Sequence, residues 1–439
     1  MLSPRRTAFL ALLSLPLLLF TQTPSAPPKE VAGIAVNYDE SKVGDYTLPD
    51  PLRLNNGQPV RDAKTWYAKR RPEILHLFEE NQFGRSPGAT TNLTYDNFDS
   101  GSMAFDGAAL RKQTIIYFSH DKAGPKINLL VYLPAKEQKP APMLLSISFS
   151  DNAAIVNDPG VHFGDVWNKE HKKVPANQAT AIGKIDVLPL IQAGFAFATF
   201  YYGDVEPDFE GGLRNGVRAL YLKPGQTQPA ADEWGAIAAW GWGLSRALDY
   251  LEEDPRIDRN RVALYGASRL GKTVLWAAAR DTRFAAVIAC CSGEGGAALS
   301  RRNYGETIAH LTAPGRYPYQ FAANYANFAQ HVDQLPVDAN MLIALIAPRP
   351  LLLQTGDTDY WADPKGEFLA EEAAGPVYAL LGKQGLETKQ WPAAGTPILH
   401  TLGYYMHAGG HGTLPADWTQ FLKFLEMHLG DGKGAINSR

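Results

Sequence analysis

Short runs of apolar, β-branched and aromatic residues recur along most of the chain, at 112–118, 127–133, 143–149, 195–202, 261–265, 286–291, 350–355 and 388–391. Each is strand-length, and several are apolar almost throughout. A strand that alternates apolar and polar residues has one wet face, whereas one that is apolar on both faces must be covered on both. The later runs are separated by stretches with helical spacing. Residues 233–252 place Ile237, Trp240, Leu244, Ala247 and Leu251 on one stripe, 269–280 follows a strand directly, and 418–429 closes the pattern. The first two strands read as an antiparallel pair and the later ones as βαβ units. This predicts an α/β fold: a mixed, mostly parallel eight-stranded sheet flanked by helices. Residues 30–110 look irregular apart from a helix at 71–82. Two long connections, 150–190 and 294–336, interrupt the alternation. Loops of that length inside one domain are expected to form lids or substrate walls. Residues 27–439 are therefore read as a single domain with two insertions that line its site.

The N-terminus changes the expected compartment. Arg5 and Arg6 precede an apolar run at 8–20, which a polar, Pro-rich stretch at 21–29 follows. Thirteen apolar residues fall short of the about 20 needed to span a bilayer, so residues 1–26 read as a signal peptide cut near Ala26. The chain is expected to be exported, to the periplasm or the medium, with no stable membrane association once cut. Lys plus Arg total 42 against 45 Asp plus Glu, a net charge of -3, so no global field draws the protein to nucleic acid. The two cysteines, Cys290 and Cys291, are adjacent and supply neither a disulfide framework nor a four-thiolate metal site.

The stretch Val262-Ala263-Leu264-Tyr265-Gly266-Ala267-Ser268-Arg269-Leu270-Gly271-Lys272-Thr273 carries the chemistry. A buried strand runs through a tight turn straight into a helix. Residues 266–273 satisfy G-x-x-x-x-G-K-[ST], the phosphate loop of NTPases. An exported chain meets no ATP, however, and this loop has only one glycine before Gly271 to let backbone amides wrap phosphate. The rival reading is a nucleophile elbow, in which strain in the turn exposes the hydroxyl of Ser268. Its second glycine arrives one residue late, and in the plainest alternative Ser268 only caps the helix.

An elbow needs an acid and then a histidine further along the chain. The strand at 350–355 runs into Gly356-Asp357-Thr358-Asp359, so Asp359 is the expected acid and Asp357 its near competitor. His411 follows within Gly409-Gly410-His411-Gly412, whose glycines let the loop fold inward. His407 and His411 have the i, i+4 spacing of helical metal ligands, but Gly409 and Gly410 between them oppose a helix, so no zinc site is expected. His407 is expected to shape the loop and His400 to be a satisfied core histidine. Arg269 and Lys272 place two cations at the positive end of a helix dipole. That is locally unfavourable unless negative charge develops there, as it does in ester cleavage. Without the serine beside them they would be ordinary surface charges, as would Glu306, and Trp361 would read equally well as a core aromatic.

The segment Gly266-Ala267-Ser268-Arg269-Leu270-Gly271-Lys272 resembles the G-C-S-R-x-G-K signature of the glucuronoyl esterases, carbohydrate esterase family fifteen, with alanine in place of cysteine. The resemblance continues through 292–297, 300–306, 359–364 and Gly410-His411, and covers most of the chain from about residue 60. It implies the α/β-hydrolase fold and hydrolysis of the ester that joins a 4-O-methyl-glucuronic acid side chain of xylan to a lignin alcohol. It further implies Ser268 as nucleophile, His411 as base, and Arg269 as oxyanion donor through its amide and guanidinium. Lys272, Glu306 and Trp361 would hold the uronate. Fungal members carry the acid just before the Ser-Gly at 292–293, where this chain has Cys291. The acid role therefore passes to Asp359, with Glu294 a minor candidate. The expected partner is glucuronoxylan or a lignin-carbohydrate ester, the expected state a monomer, with no cofactor and no metal. The alternatives are an acetyl xylan esterase or a peptidase on the same fold. A non-catalytic carbohydrate-binding protein would have no reason to keep Ser268, Asp359 and His411 together.

Overall fold

Strands buried on both faces force a three-layer arrangement, and the computed structural model, which describes residues 27–90, 93–177 and 181–431, has one. The leader read in residues 1–26 lies outside the described residues. Ten strands form the central sheet: β1 (Thr94–Ala104), β2 (Ala109–Tyr117), β3 (Lys126–Pro134), β4 (Ala141–Ser148), β5 (Ala196–Tyr201), β6 (Ile257–Ala267), β7 (Ala286–Cys290), β8 (Leu351–Gly356), β9 (Ile398–Leu399) and β10 (Leu402–His407). Their spatial order is β9-β10-β8-β7-β6-β4-β5-β3-β2-β1. The run from β5 to β10 is parallel, while β1, β2 and β3 join antiparallel at one edge and β9 at the other.

Alternation along a strand sorts its side chains between two cores. On β6, Val262 and Leu264 join one apolar cluster, and Ala263 and Tyr265 the other. The first cluster packs beneath α1 (Arg71–Asn81), α2 (Ala236–Leu251), α3 (Arg269–Arg280) and α4 (Pro364–Leu380), with Trp240, Trp276 and Phe368 fully buried in it. The second lies beneath α5 (Asp417–Leu429), through Phe421, Phe424 and Leu425. Helices on both faces leave the carboxyl ends of the parallel strands as the open edge where ligands bind in such sheets. Among the described residues no helix is long and apolar enough to cross a membrane.

The sheet has ten strands where eight were expected. Strand β1 is polar and mostly exposed at the sheet edge, so no apolar run announces it in a region that reads as irregular. The run at 388–391 is not a strand. The strand that continues the parallel sheet is β10, whose apolar pattern Gly403 interrupts. That glycine is there for space: a Cβ would lie 2.9 Å from the Ile398 carbonyl oxygen. His400 is only partly buried and bonds the Gly385 carbonyl through Nδ1 at 3.2 Å, so it is satisfied but stands outside the core.

Candidate active site

Strand β6 ends at Ala267, α3 begins at Arg269, and Ser268 turns the chain between them with φ 56° and ψ -127°. A non-glycine residue in that region is strained by about 1–3 kcal/mol and persists only where its surroundings enforce it. Two close approaches do so. A Cβ on Gly266 would lie 2.3 Å from the Leu270 carbonyl oxygen, and one on Gly271 would lie 2.8 Å from the Cys290 carbonyl oxygen. The second contact explains the late glycine: here it is the third residue after the serine that presses the helix onto β7. The Ser268 side chain makes no capping hydrogen bond to its own helix and lines an open cleft. Arg269 is the first residue of α3, so its N–H is among those without an acceptor inside the helix.

The acid and base loops are stitched together over β8. Gly356 lacks a side chain where a Cβ would meet the Gly410 carbonyl oxygen at 2.2 Å, so the histidine loop crosses directly above it. Asp357 accepts the Gly409 N–H at 2.8 Å and thus holds backbone, not the His411 ring. Asp359, almost fully buried, bonds His411 Nδ1 through Oδ2 at 2.7 Å, while the His411 side chain remains half exposed in the cleft. Glu294 faces elsewhere and accepts from Ser300 Oγ at 2.7 Å and Tyr325 Oη at 2.8 Å. His407 packs against Asp417, Gln354 and the Gly410 carbonyl, at 2.8, 3.0 and 3.0 Å, and so shapes the loop from behind.

Cys291 sits beside this pair. Its sulfur, one Asp359 oxygen and one His411 ring nitrogen all lie within 4.8 Å of one another. These are the described residues that could together hold a metal ion, which would have to displace the Asp359–His411 bond. Burial pushes the Cys291 thiol well above its ordinary value, with Asp359 adding to the shift, so the residue is a neutral neighbour of the histidine.

The cleft has a volume of about 390 Å³, and Ser268, Arg269, Lys272, Cys291, Glu306, Asp359, Trp361 and His411 all line it. Lys272 is buried and donates to the Ser292 carbonyl at 2.6 Å. Burial draws its ammonium below the ordinary value, opposed by the Glu306 carboxylate; burial likewise raises Glu306, opposed by Lys272 and Arg316. Glu306 accepts from Arg316 at 3.2 Å, and its N–H donates to the Trp361 carbonyl at 2.9 Å, so carboxylate and indole are placed by one contact between loops. The Arg269 guanidinium bonds Asp208 and lies over the Tyr317 ring at 4.8 Å. Burial alone would lower its pKa, but Asp208 reverses the effect and keeps the group charged.

Ser268, Arg269, Lys272, Glu306, Asp359, Trp361 and His411 thus meet in one cleft, while the rival acids Asp357 and Glu294 do not line it. Several others in or beside it carried no local signal. Asp208 binds Arg269 from a separate loop, while Arg316, Tyr317 and Gln320 come from the connection 294–336. Pro28 and Val31 come from the N-terminal arm, which is tied down where Asn37 donates to the Asn303 carbonyl and accepts the Gly305 N–H at its own. The connection 150–190 supplies none of the lining residues. It packs against α5 around a separate, larger groove.

The chain is similar in sequence and fold to known carbohydrate esterases. Residues 163–382 match the sequence profile described as glucuronyl esterase, fungi. The chain is 42% identical to "Carbohydrate esterase MZ0003" from an unknown prokaryotic organism, over 90% of this chain and 93% of that protein. It is 27% identical to 4-O-methyl-glucuronoyl methylesterase 1 of Phanerochaete chrysosporium, over 80% of this chain and 68% of the relative. Among solved structures, a glucuronoyl esterase from Solibacter usitatus superposes with a TM-score of 0.85 at 44% identity, covering 89% of this chain and all of the other.

Proposed function

Because this chain belongs to the glucuronoyl esterases of carbohydrate esterase family 15, which are carboxylic ester hydrolases, we propose that it cleaves esters of (4-O-methyl-)glucuronic acid through an acyl-enzyme on Ser268. The observation that carries the reading is the cleft itself. Ser268 and the Asp359-bonded His411 share it with Lys272, Glu306 and Trp361.

In the first half-reaction Ser268 Oγ attacks the ester carbonyl carbon, and His411 Nε2 takes its proton. Asp359 fixes the ring by accepting from Nδ1–H and stabilises the imidazolium that forms. The carbonyl oxygen gains charge as the tetrahedral intermediate develops. The Arg269 N–H and guanidinium meet that charge, and the Asp208 bond pre-orients the guanidinium so that little reorganisation is needed. The imidazolium then gives its proton to the departing alcohol oxygen as the C–O bond breaks. Water attacks the glucuronoyl-serine by the same route in reverse, which releases the uronic acid and restores the hydroxyl. Lys272 and Glu306 hold sugar hydroxyls, and Trp361 offers an apolar face to the ring. The substrate is a glucuronoxylan or lignin-carbohydrate ester met after export, and residues 27–439 act as one catalytic domain and as a monomer.

Hydrolysis of benzyl glucuronate against 4-nitrophenyl acetate tests this reading. Efficient cleavage of the uronate ester is expected. Preference for the acetate by kcat/KM would favour a general or acetyl xylan esterase, and no cleavage of either would leave a binding protein.

A further inference from the structure

Lys272 lines the cleft from α3 and bonds a turn whose far side is clamped by a group the chemistry does not use. Its ammonium donates to the Ser292 carbonyl at 2.6 Å. The Ser292 hydroxyl donates to Glu367 Oε1 at 2.9 Å and accepts the Ala297 N–H at 2.9 Å, and the Gly293 N–H donates to the same Glu367 oxygen at 2.6 Å. Glu367 stands in the first turn of α4, fully buried, and does not line the cleft. Two donors converging on one carboxyl oxygen fix both position and tilt of the 292–293 peptide. Gly293 takes φ +59°, and a Cβ on Gly296 would fall 2.8 Å from Ser292 Oγ, so the turn is closely packed as well as hydrogen-bonded. A lysine on four rotatable bonds gains a defined place only from such an anchor.

We propose that Glu367 is a positioning residue for uronate recognition: from beneath the cleft it sets the Ser292–Gly293 turn, and through that turn the place of the Lys272 ammonium. The proposal rests on Lys272 being a uronate contact. The charged groups that act on Glu367 are Glu371 one turn on, Asp359 and Lys272. Burial raises its carboxyl to about 8, so near neutral pH glutamine mimics it in shape and in lack of charge.

The test is a set of double-mutant cycles. Glu367→Gln, Glu367→Leu and Ser292→Ala are each made alone and in Lys272→Ala, with kcat and KM measured on benzyl glucuronate and 4-nitrophenyl acetate. Glu367→Gln should stay within about twofold of the parent, while Glu367→Leu raises KM for the uronate about tenfold and affects the acetate severalfold less. In the Lys272→Ala background Glu367→Leu should add less than about twofold, since a residue acting through Lys272 has nothing left to place. Additive losses, equal losses on both esters, or a Gln variant as impaired as Leu would each overturn the proposal. If Glu367→Leu does not fold, Ser292→Ala carries the same cycle, with about a threefold to fivefold rise in KM that again vanishes without Lys272, and additivity would be fatal. A Lys272→Ala enzyme unchanged on the uronate would remove the uronate reading of Lys272 and this proposal with it. A Lys272 effect combined with additive Glu367 losses would remove this proposal alone.

Discussion

Asp208 is the least conspicuous acid of the site in the sequence, and substituting it gives a sharp test of how Arg269 works. It is 5% exposed and accepts from Arg269, from Tyr202 Oη at 3.1 Å, from Tyr319 Oη at 3.0 Å and from Gln320 Nε2 at 2.6 Å. Asp208→Asn keeps the shape; with its oxygen toward Arg269 and Tyr202, its NH2 faces Tyr319 and Gln320, whose hydroxyl and amide can turn to accept from it. What disappears is the charge opposite Arg269. Hydrogen bonds to charged groups contribute about 1.5–3 kcal/mol and neutral ones about 0.5–1.5, so the guanidinium loses roughly 1–1.5 kcal/mol of orienting interaction. About 1.4 kcal/mol corresponds to tenfold, and kcat/KM should fall about tenfold. The oxyanion forms whichever ester is cleaved, so the loss should be the same for benzyl glucuronate and 4-nitrophenyl acetate. Arg269→Ala, which removes a donor outright, should cost about a hundredfold or more on both. Both variants need kcat, KM and a melting temperature in one buffer. Wild-type turnover by Asp208→Asn, or a loss confined to the uronate ester, would refute the reasoning and move Arg269 from the oxyanion to sugar binding.

The parallel core was legible because its strands are apolar on both faces, a signal that depends on composition alone. Strand β1 was not, since an exposed edge strand such as Thr94–Ala104 carries the residues of a loop. The elbow, the acid loop and the histidine loop were legible because each couples a functional side chain to glycines that geometry demands: Gly266, Gly271 and Gly356 all sit where a Cβ would strike backbone. Asp208, Arg316, Gln320 and Glu367 had no such mark. Asp208 acts on Arg269 from 61 residues away and Glu367 on Ser292 from 75, Arg316 reaches Glu306 from outside any motif and Gln320 braces Asp208, and a lone acid or amide in a loop looks the same whether it faces solvent or a buried guanidinium. The N-terminal arm was missed for a related reason. Pro28 and Val31 become part of a cleft through contacts far along the chain, such as those of Asn37 with Asn303, 266 residues away, and of Ile34 with His310.

Three further outcomes are expected. Asp359→Asn should lower kcat by about 10⁴, the loss seen when a triad aspartate becomes asparagine, while Asp357→Asn and Glu294→Gln cost far less; steady-state kinetics on one ester ranks all three. Lys272→Ala should reduce kcat/KM on the uronate about tenfold to a hundredfold and leave the acetate nearly unchanged, as parallel assays would show. Stability should fall with rising pH, because burial raises Glu294 and Glu367 to about 8 and Asp204 and Asp363 to about 6. These groups hold protons in the native state that the unfolded chain releases near pH 4. Their contribution is thus complete below about 4 and lost as pH climbs through 6 and then 8, at up to about 1.4 kcal/mol per pH unit for each group within its window. Melting temperatures from pH 5 to 8.5 should decline, and Glu294→Gln should flatten the decline; a rise with pH would contradict the assignment.

An enzyme that carries the uronate covalently on Ser268 should be caught holding it there during turnover. Wild-type protein and Ser268→Ala are mixed with benzyl glucuronate, quenched during turnover, and examined by intact mass and peptide mapping alongside benzyl alcohol release. A single glucuronoyl group on the peptide containing Ser268, absent from a Ser268→Ala protein that folds normally but releases no alcohol, is the predicted result. Alcohol release by Ser268→Ala at about a tenth of the wild-type rate or more, or an acyl group on any other residue, would contradict it.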